Sequence, residues 1–297
     1  MINLNNLSTE QSNSATKNID ELDTLSILKL INNEDKKVAL AIESKLEIIS
    51  KVVETMVATL QNGGRVIYMG AGTSGRLGVL DASELPPTYN ADPSWIMGLI
   101  AGGKEALTKA IENSEDNIEM AIADLSSINF SKKDMLIGLA ASGRTPYVAS
   151  GLKYAKHLGA KTTAIACTTQ SIIGKFADLV IEVELGGEVI TGSTRMKAGT
   201  AQKMILNMLS TSTMIKMGKV YGNLMVDVQV KNQKLKQRAI NIIKEITNLN
   251  EETILELLTK SNNNVKVAIV MHLANLNYNE AVEKLNQNGN FIGKTLK

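Results

Sequence analysis

Residues 65–76 read Arg-Val-Ile-Tyr-Met-Gly-Ala-Gly-Thr-Ser-Gly-Arg, an apolar run that breaks into a glycine-rich turn. Val66 to Met69 are β-formers and predict a buried strand. Gly70, Gly72 and Gly75 allow a sharp turn and let an anion approach main-chain N–H groups. Thr73 and Ser74 add hydroxyls, and the helix expected next points its positive end to the same place. The stretch is chemically a phosphate cradle. It also fits Gly-x-Gly-x-x-Gly, but a dinucleotide site needs a full crossover helix and an acidic residue at the tip of the next strand. Here the helix over 75–84 is expected to stop at Pro86-Pro87. The next strand, 95–100, runs into Gly102-Gly103-Lys104 with no carboxylate at its tip. The Gly-Lys-Ser/Thr of a P-loop is absent as well.

From Arg65 onward strands and helices alternate. Apolar runs at 66–69, 95–100, 135–140, 162–167 and 179–183 are separated by helical stretches at 75–84, 104–124, 146–157 and 171–177. Near-continuous apolar strands alternating with helices predict a doubly wound parallel five-stranded sheet covered on both faces. Ligands in such sheets lie beyond the carboxyl ends of the strands. The residues before Asp20 carry no pattern and are expected to be mobile. An amphipathic region starting at Leu22 precedes the core, with Asn33 as a candidate cap for a longer helix reaching Leu60 and ending at Gly63-Gly64. After Gly222 the composition shifts, and helices at 251–259, 265–273 and 279–285 predict a small C-terminal three-helix module. The expected division is 1–54 as an N-terminal helical extension, 55–218 as the sheet domain, and 219–297 as a C-terminal helical region.

The cradle has an echo. The strand ending at Ala140 delivers Ala141-Ser142-Gly143-Arg144-Thr145 to a helix that opens with Pro146. Thus Ser-Gly-Arg occurs twice, each time between a strand and a helix start. A third anion-friendly segment, Gly186 to Thr200, crowds Thr191, Ser193, Thr194, Arg195 and Lys197 at the start of a helix over 197–216. These hydroxyls also suit plain helix capping.

The chain has 297 residues, of which 21% are charged, with a formal net charge of +2. No basic block interleaved with aromatics argues for nucleic acid. No apolar run is long enough for a membrane span, and no signal pattern opens the chain, so a cytoplasmic location is expected. Cys167 is the single cysteine and His157 and His272 the only histidines, so neither a disulfide nor a recognisable zinc site is expected. Cys167 suits the buried end of a strand better than a nucleophile.

Gly70 to Gly78, Asp81-Ala82-Ser83-Glu84-Leu85-Pro86-Pro87-Thr88-Tyr89, Ala141 to Tyr147 and Thr191 to Lys203 together resemble the N-acetylmuramic acid 6-phosphate etherases. The last run also resembles a signature shared with glucokinase regulatory protein. The resemblance runs from about Thr9 to the C-terminus and includes Ile31 to Asp35 and Gly222 to Asp227. It implies a sugar isomerase (SIS) fold, a homodimer, and no metal or organic cofactor. The implied reaction is cleavage of the D-lactyl ether of N-acetylmuramic acid 6-phosphate to N-acetylglucosamine 6-phosphate and D-lactate, a lyase step in reuse of cell-wall amino sugar. The alternative is a non-catalytic sugar-phosphate sensor, which needs no acid–base pair. An aldose–ketose isomerase is a weaker third reading.

An ether is a poor leaving group. Ring opening exposes an aldehyde, the C2 proton becomes acidic, lactate leaves from C3, and water adds back. This needs a base, an acid and a holder for the 6-phosphate. The resemblance places the two catalytic glutamates at Glu84 and Glu115. Glu84 is expected in the last turn of a short helix, as proton donor to the departing lactate. Glu115 is expected as the second acid/base group, although it shares a predicted helical face with Glu112, Asp116 and Glu119 that reads equally as a solvated acidic face. Which glutamate takes the C2 proton stays open. Thr73, Ser74 and Gly75, or Ser142, Gly143 and Thr145, are expected to hold the phosphate. Ser193, Thr194, Arg195 and Lys197 are expected to close the site. Arg144 reads either as a substrate contact or as a structural pair.

Overall fold

A computed structural model describes residues 8–228, 230 and 232–297. The chain divides into two compact units, residues 1–83 with 94–210, and residues 84–93 with 211–297.

The first unit is built on five parallel strands, β1 (Val66–Gly70), β2 (Ile96–Ile100), β3 (Met135–Leu139), β4 (Lys161–Ala166) and β5 (Leu179–Glu182). Their order is β2-β1-β3-β4-β5. The chain leaves β1 to one side for β2 and returns to its other side for β3, so the order reverses between β1 and β3. Their carboxyl ends are level, with Gly70 opposite Leu139, and a parallel sheet of this kind offers its crevice at that reversal. Both Ser-Gly-Arg turns therefore emerge from neighbouring strands at the switch point. At the opposite end Arg65 donates through Nε and Nη2 to the two carboxylate oxygens of buried Asp134, at 3.1 and 2.9 Å. This fork fixes β1 against β3.

Helices α4 (Ile118–Ser127) and α5 (Pro146–His157) pack on each other, and α5 covers β3 and β4. Ile67, Met69, Leu136, Val148 and Leu152 share their core. Tyr147 Oη donates to Asp124 Oδ2 at 2.6 Å and ties the two helices together. α2 (Leu46–Gln61) packs on β1 and β5. α3 (Gly72–Tyr89) follows β1, and α6 (Lys197–Lys216) follows the long segment after β5.

Several expectations are corrected. α1 (Thr24–Glu43) is capped by Asp23 and passes straight through Asn33. The break comes at Ser44-Lys45, where Ser44 Oγ donates back to the Ala41 carbonyl, a local bond that competes with helix continuation. α3 does not stop at Pro86-Pro87 but continues to Tyr89. Proline keeps a helical φ; its cost is the missing N–H, so the Ala82 and Ser83 carbonyls lose their helical donors. No helix spans 104–124. Gly102, Gly103 and Asn113 take left-handed φ values of 87°, 67° and 59° and break that stretch into short turns at Gly103–Leu107 and Ser114–Asp116. The segment before Asp20 is held in part: Thr16 is buried and its Oγ1 donates to the Val189 carbonyl at 2.8 Å. Residues 1–7 of that segment lie outside the described residues.

In the second unit the three expected helices are present as α8 (Glu251–Lys260), α9 (Val265–Leu273) and α10 (Tyr278–Gln287), together with a short α11 (Ile292–Thr295). A further helix, α7 (Gln233–Thr247), joins them, and Ile240, Ile243, Ile254, Leu258, Ile269 and Leu285 share one core. Lys266, almost fully buried, donates to Asp227 Oδ2 at 2.9 Å and to the Gly218 carbonyl at 2.9 Å.

Candidate active site

The turn after β1 is as tight as its glycines demand. A Cβ on Gly70 would sit 2.7 Å from the Gly75 nitrogen, and one on Gly75 would sit 2.6 Å from the Gly70 carbonyl oxygen. Side chains at either position would push the helix start off the strand end. Ser74 is buried, and its Oγ donates to Gln202 Oε1 at 2.8 Å. Gln202 belongs to α6 and is a site residue that the sequence reading missed; nothing in residues 128 positions apart marks them as partners. Thr73 lies beside Gly199, whose ideal Cβ would come 3.5 Å from Thr73 Cγ2. The start of α6 is thereby brought against the start of α3.

The turn after β3 differs. Gly143 takes φ 70°, where a Cβ would come 2.5 Å from Ser171 Cβ, so glycine is required on both conformational and steric grounds. Thr145 occupies the cap position of α5, but its side chain makes no capping hydrogen bond. Arg144 Nη1 is buried without a hydrogen-bond partner among the described residues. An uncapped helix N-terminus beside an unpaired guanidinium nitrogen leaves several donors for an anion. The two arginines of the repeated motif therefore part ways. Arg76 spends its donors on the Leu107 and Lys109 carbonyls, at 3.1 and 2.9 Å, and anchors the loop that carries Glu115.

Glu115 lies on that loop, exposed, in the turn Ser114–Asp116. The expected face shared with Glu112, Asp116 and Glu119 does not form, because α4 starts only at Ile118. Instead Glu115, Arg76, Gly72, Ala101, Lys109 and Ile111 help to line a cavity of about 190 Å³. Glu84 is exposed on α3, five residues before the helix ends at Tyr89 rather than in its last turn. Neither carboxylate is engaged in an ion pair or hydrogen bond among the described residues.

The start of α6 is already neutralised from within. Glu188 accepts from the Lys197 and Ala198 backbone N–H groups, each at 2.9 Å. Lys197 is 1% exposed, and its Nζ donates to Glu34 Oε2 at 2.6 Å and to the Leu185 carbonyl at 3.0 Å. Lys197 is thus a buried structural cation, which corrects its expected place among the ligand contacts. Of its neighbours, Ser193 and Thr194 are half-buried and Arg195 is exposed, in the turn leading into α6.

Behind this edge Asp81 accepts from Ser210 Oγ at 3.1 Å and pairs with Lys203 at 3.5 Å. Burial raises its pKa against the pull of Lys203 and Ser210. Tyr68, fully buried beside it, is raised well above the usual phenol value by burial and by the Asp81 charge. Burial, and then the Glu188 charge, push the Cys167 thiol up to about 12. Among the described residues no three His, Cys, Asp or Glu side chains group to hold a metal ion.

The N-terminal SIS domain of glucokinase regulatory protein matches residues 47–156, the SIS domain residues 112–212, and the C-terminal lid domain of glucokinase regulatory protein residues 222–266. An N-acetylmuramic acid 6-phosphate etherase of Geobacillus sp. (strain WCH70) is 53% identical over 294 residues, covering 99% of this chain and all of that relative. The chain belongs to the N-acetylmuramic acid 6-phosphate etherase family. A Bacillus cereus (strain AH187) etherase agrees, at 53% identity over 293 residues, again 99% of this chain and all of the relative. Among solved structures, a protein of Escherichia coli CFT073, crystallised as a ligand complex, superposes with a TM-score of 0.50 at 17% identity, over 68% of this chain and 97% of that one. A Francisella tularensis phosphoheptose isomerase gives 0.50 at 15%, over 65% and 98%. These two likenesses bear on the fold: the etherase family builds its site on an SIS sheet.

Proposed function

We propose that this chain, as its family's name states, cleaves the D-lactyl ether of N-acetylmuramic acid 6-phosphate, a carbon–oxygen lyase reaction. The open-chain aldehyde makes the C2 proton acidic. A base removes it, the C3–O bond to lactate breaks, and an acid protonates the leaving oxygen. Water then adds across the double bond, hydroxyl to C3 and proton to C2. The products are N-acetylglucosamine 6-phosphate and D-lactate. Glu84 is assigned as donor to the lactate oxygen and Glu115 as the second acid/base group; both carboxylates are exposed and unpaired, as such groups must be before substrate arrives.

The observation that carries the site assignment is the contrast between helix starts. The α6 start is filled by Glu188, and the Ser74 hydroxyl is committed to Gln202. The α5 start is uncapped beside the unpaired Nη1 of Arg144. The 6-phosphate is therefore assigned to Ser142, Gly143, Arg144 and Thr145, and the turn at Thr73, Ser74 and Gly75 to the sugar. Ser193, Thr194 and Arg195 are assigned to close the site. A homodimer is supported by the face of α1, where Leu25, Leu28 and Leu40 are 60%, 57% and 69% exposed. No helix among the described residues is long and apolar enough to cross a membrane, and a cytoplasmic location is proposed. Incubation with N-acetylmuramic acid 6-phosphate and enzymatic assay of D-lactate tests the reading. Binding without lactate release marks a sugar-phosphate sensor instead.

A further inference from the structure

Ser74 and Gln202 form a buried pair, 7% and 1% exposed, joined by the 2.8 Å bond from Ser74 Oγ to Gln202 Oε1. Gln202 Nε2 is buried and has no partner among the described residues. A serine hydroxyl carries one proton and two lone pairs. With the proton turned to Gln202, Ser74 meets a ligand only through its lone pairs. A phosphate oxygen is itself an acceptor and offers nothing to them. A sugar hydroxyl or an amide N–H does.

We propose that Gln202 is a positioning residue that holds Ser74 as a hydrogen-bond acceptor, so that the turn after β1 reads a donor on the sugar and not the phosphate. This deepens, and rests on, the etherase reading above. It accounts for two features together. The glycine turn after β1 looks like a phosphate cradle, yet its buried hydroxyl is spoken for. The lone glutamine that holds it sits on α6, at the point where Gly199 lets that helix approach Thr73. The orphaned Nε2 is the donor half of the same pair, and a buried donor of this kind is unexpected unless a ligand or ordered water completes it.

The test compares the wild-type protein with S74A, Q202M and the double variant. D-lactate release gives KM for N-acetylmuramic acid 6-phosphate, and calorimetric titration gives the affinity for inorganic phosphate. S74A and Q202M are each expected to raise KM about tenfold, the loss of one hydrogen bond. The double variant is expected to be no worse than S74A, because Gln202 acts through Ser74. Phosphate affinity is expected to stay at the wild-type value in all of them. Phosphate binding weakened about tenfold in S74A overturns the proposal, since Ser74 then donates to phosphate. So does a double variant whose loss is the product of the two single losses, since Gln202 then acts on its own. If Q202M fails to fold, the phosphate affinity of S74A still decides the polarity. Absence of lactate release by the wild-type protein strikes the etherase reading alone, and the phosphate titrations of wild type and S74A remain decisive for the pair.

Discussion

Lys197 Nζ lies 2.6 Å from Glu34 Oε2, and both side chains are buried. The pair fastens α1 to the first turn of α6, and the Leu185 carbonyl takes a second Lys197 proton. A buried charge is tolerable only when partnered, so each of these residues makes the other necessary.

Lys197→Met should destabilise the fold by about 3–5 kcal/mol, because it strands the Glu34 carboxylate. The double change Lys197→Met with Glu34→Leu should recover much of that loss. Denaturant melts of the three variants check both. A single variant as stable as the wild type would mean that the pair adds nothing.

The same pair sets an acid limit. Burial alone would raise the Glu34 pKa, but hydrogen bonds from Lys197 and Lys37 and the Lys197 charge outweigh it and lower the group from 4.5 to about 2. A depressed carboxylate contributes stability that is fully present above its ordinary value of 4.5 and fades as pH falls toward about 2. Acid unfolding should therefore steepen below pH 4.5 in the wild type and flatten in Lys197→Met with Glu34→Leu. Equal slopes would remove Glu34 from the acid transition.

Glu84→Gln and Glu115→Gln should each lower kcat for lactate release by about 10²–10⁴. Both side chains are exposed, so melting free energies should stay within about 0.5 kcal/mol. A variant with undiminished kcat takes that glutamate out of the acid–base pair.

Arg144→Gln should raise KM by about tenfold to a hundredfold, from loss of a charge-assisted bond of roughly 1.5–3 kcal/mol. Inorganic phosphate and N-acetylglucosamine 6-phosphate should inhibit it correspondingly less. Its melting temperature should not fall, since Arg144 Nη1 has no internal partner to lose among the described residues. A fall in stability with unchanged KM would make Arg144 structural.

Cys167→Ala should keep full activity, and iodoacetamide at neutral pH should leave the native protein unmodified. Only the thiolate reacts, and the thiol is buried with a pKa pushed up to about 12. Rapid loss of activity on alkylation would show that the β4 end opens to solvent.

The sheet, the two Ser-Gly-Arg turns and the family are all written in contiguous residues. Apolar runs 66–69 and 135–140 leave little but a buried strand, and the glycines after them leave little but a turn. Strand order was not written there, yet once five parallel strands are accepted, the carboxyl edge follows as the place for a ligand. Folding alone settled what each polar side chain does with its hydrogen bonds. Arg76 and Arg144 stand in the same motif, but Arg76 met two carbonyls of the 107–109 loop, while Arg144 Nη1 met none. Lys197 looked like a ligand contact until Glu34, 163 residues away, took its charge. Ser74 looked like a phosphate donor until Gln202 took its proton. Local backbone preferences act over a few residues and can be read along the chain. The pairing of buried polar atoms is forced by desolvation between segments that only folding brings together, and no spacing in the sequence records it.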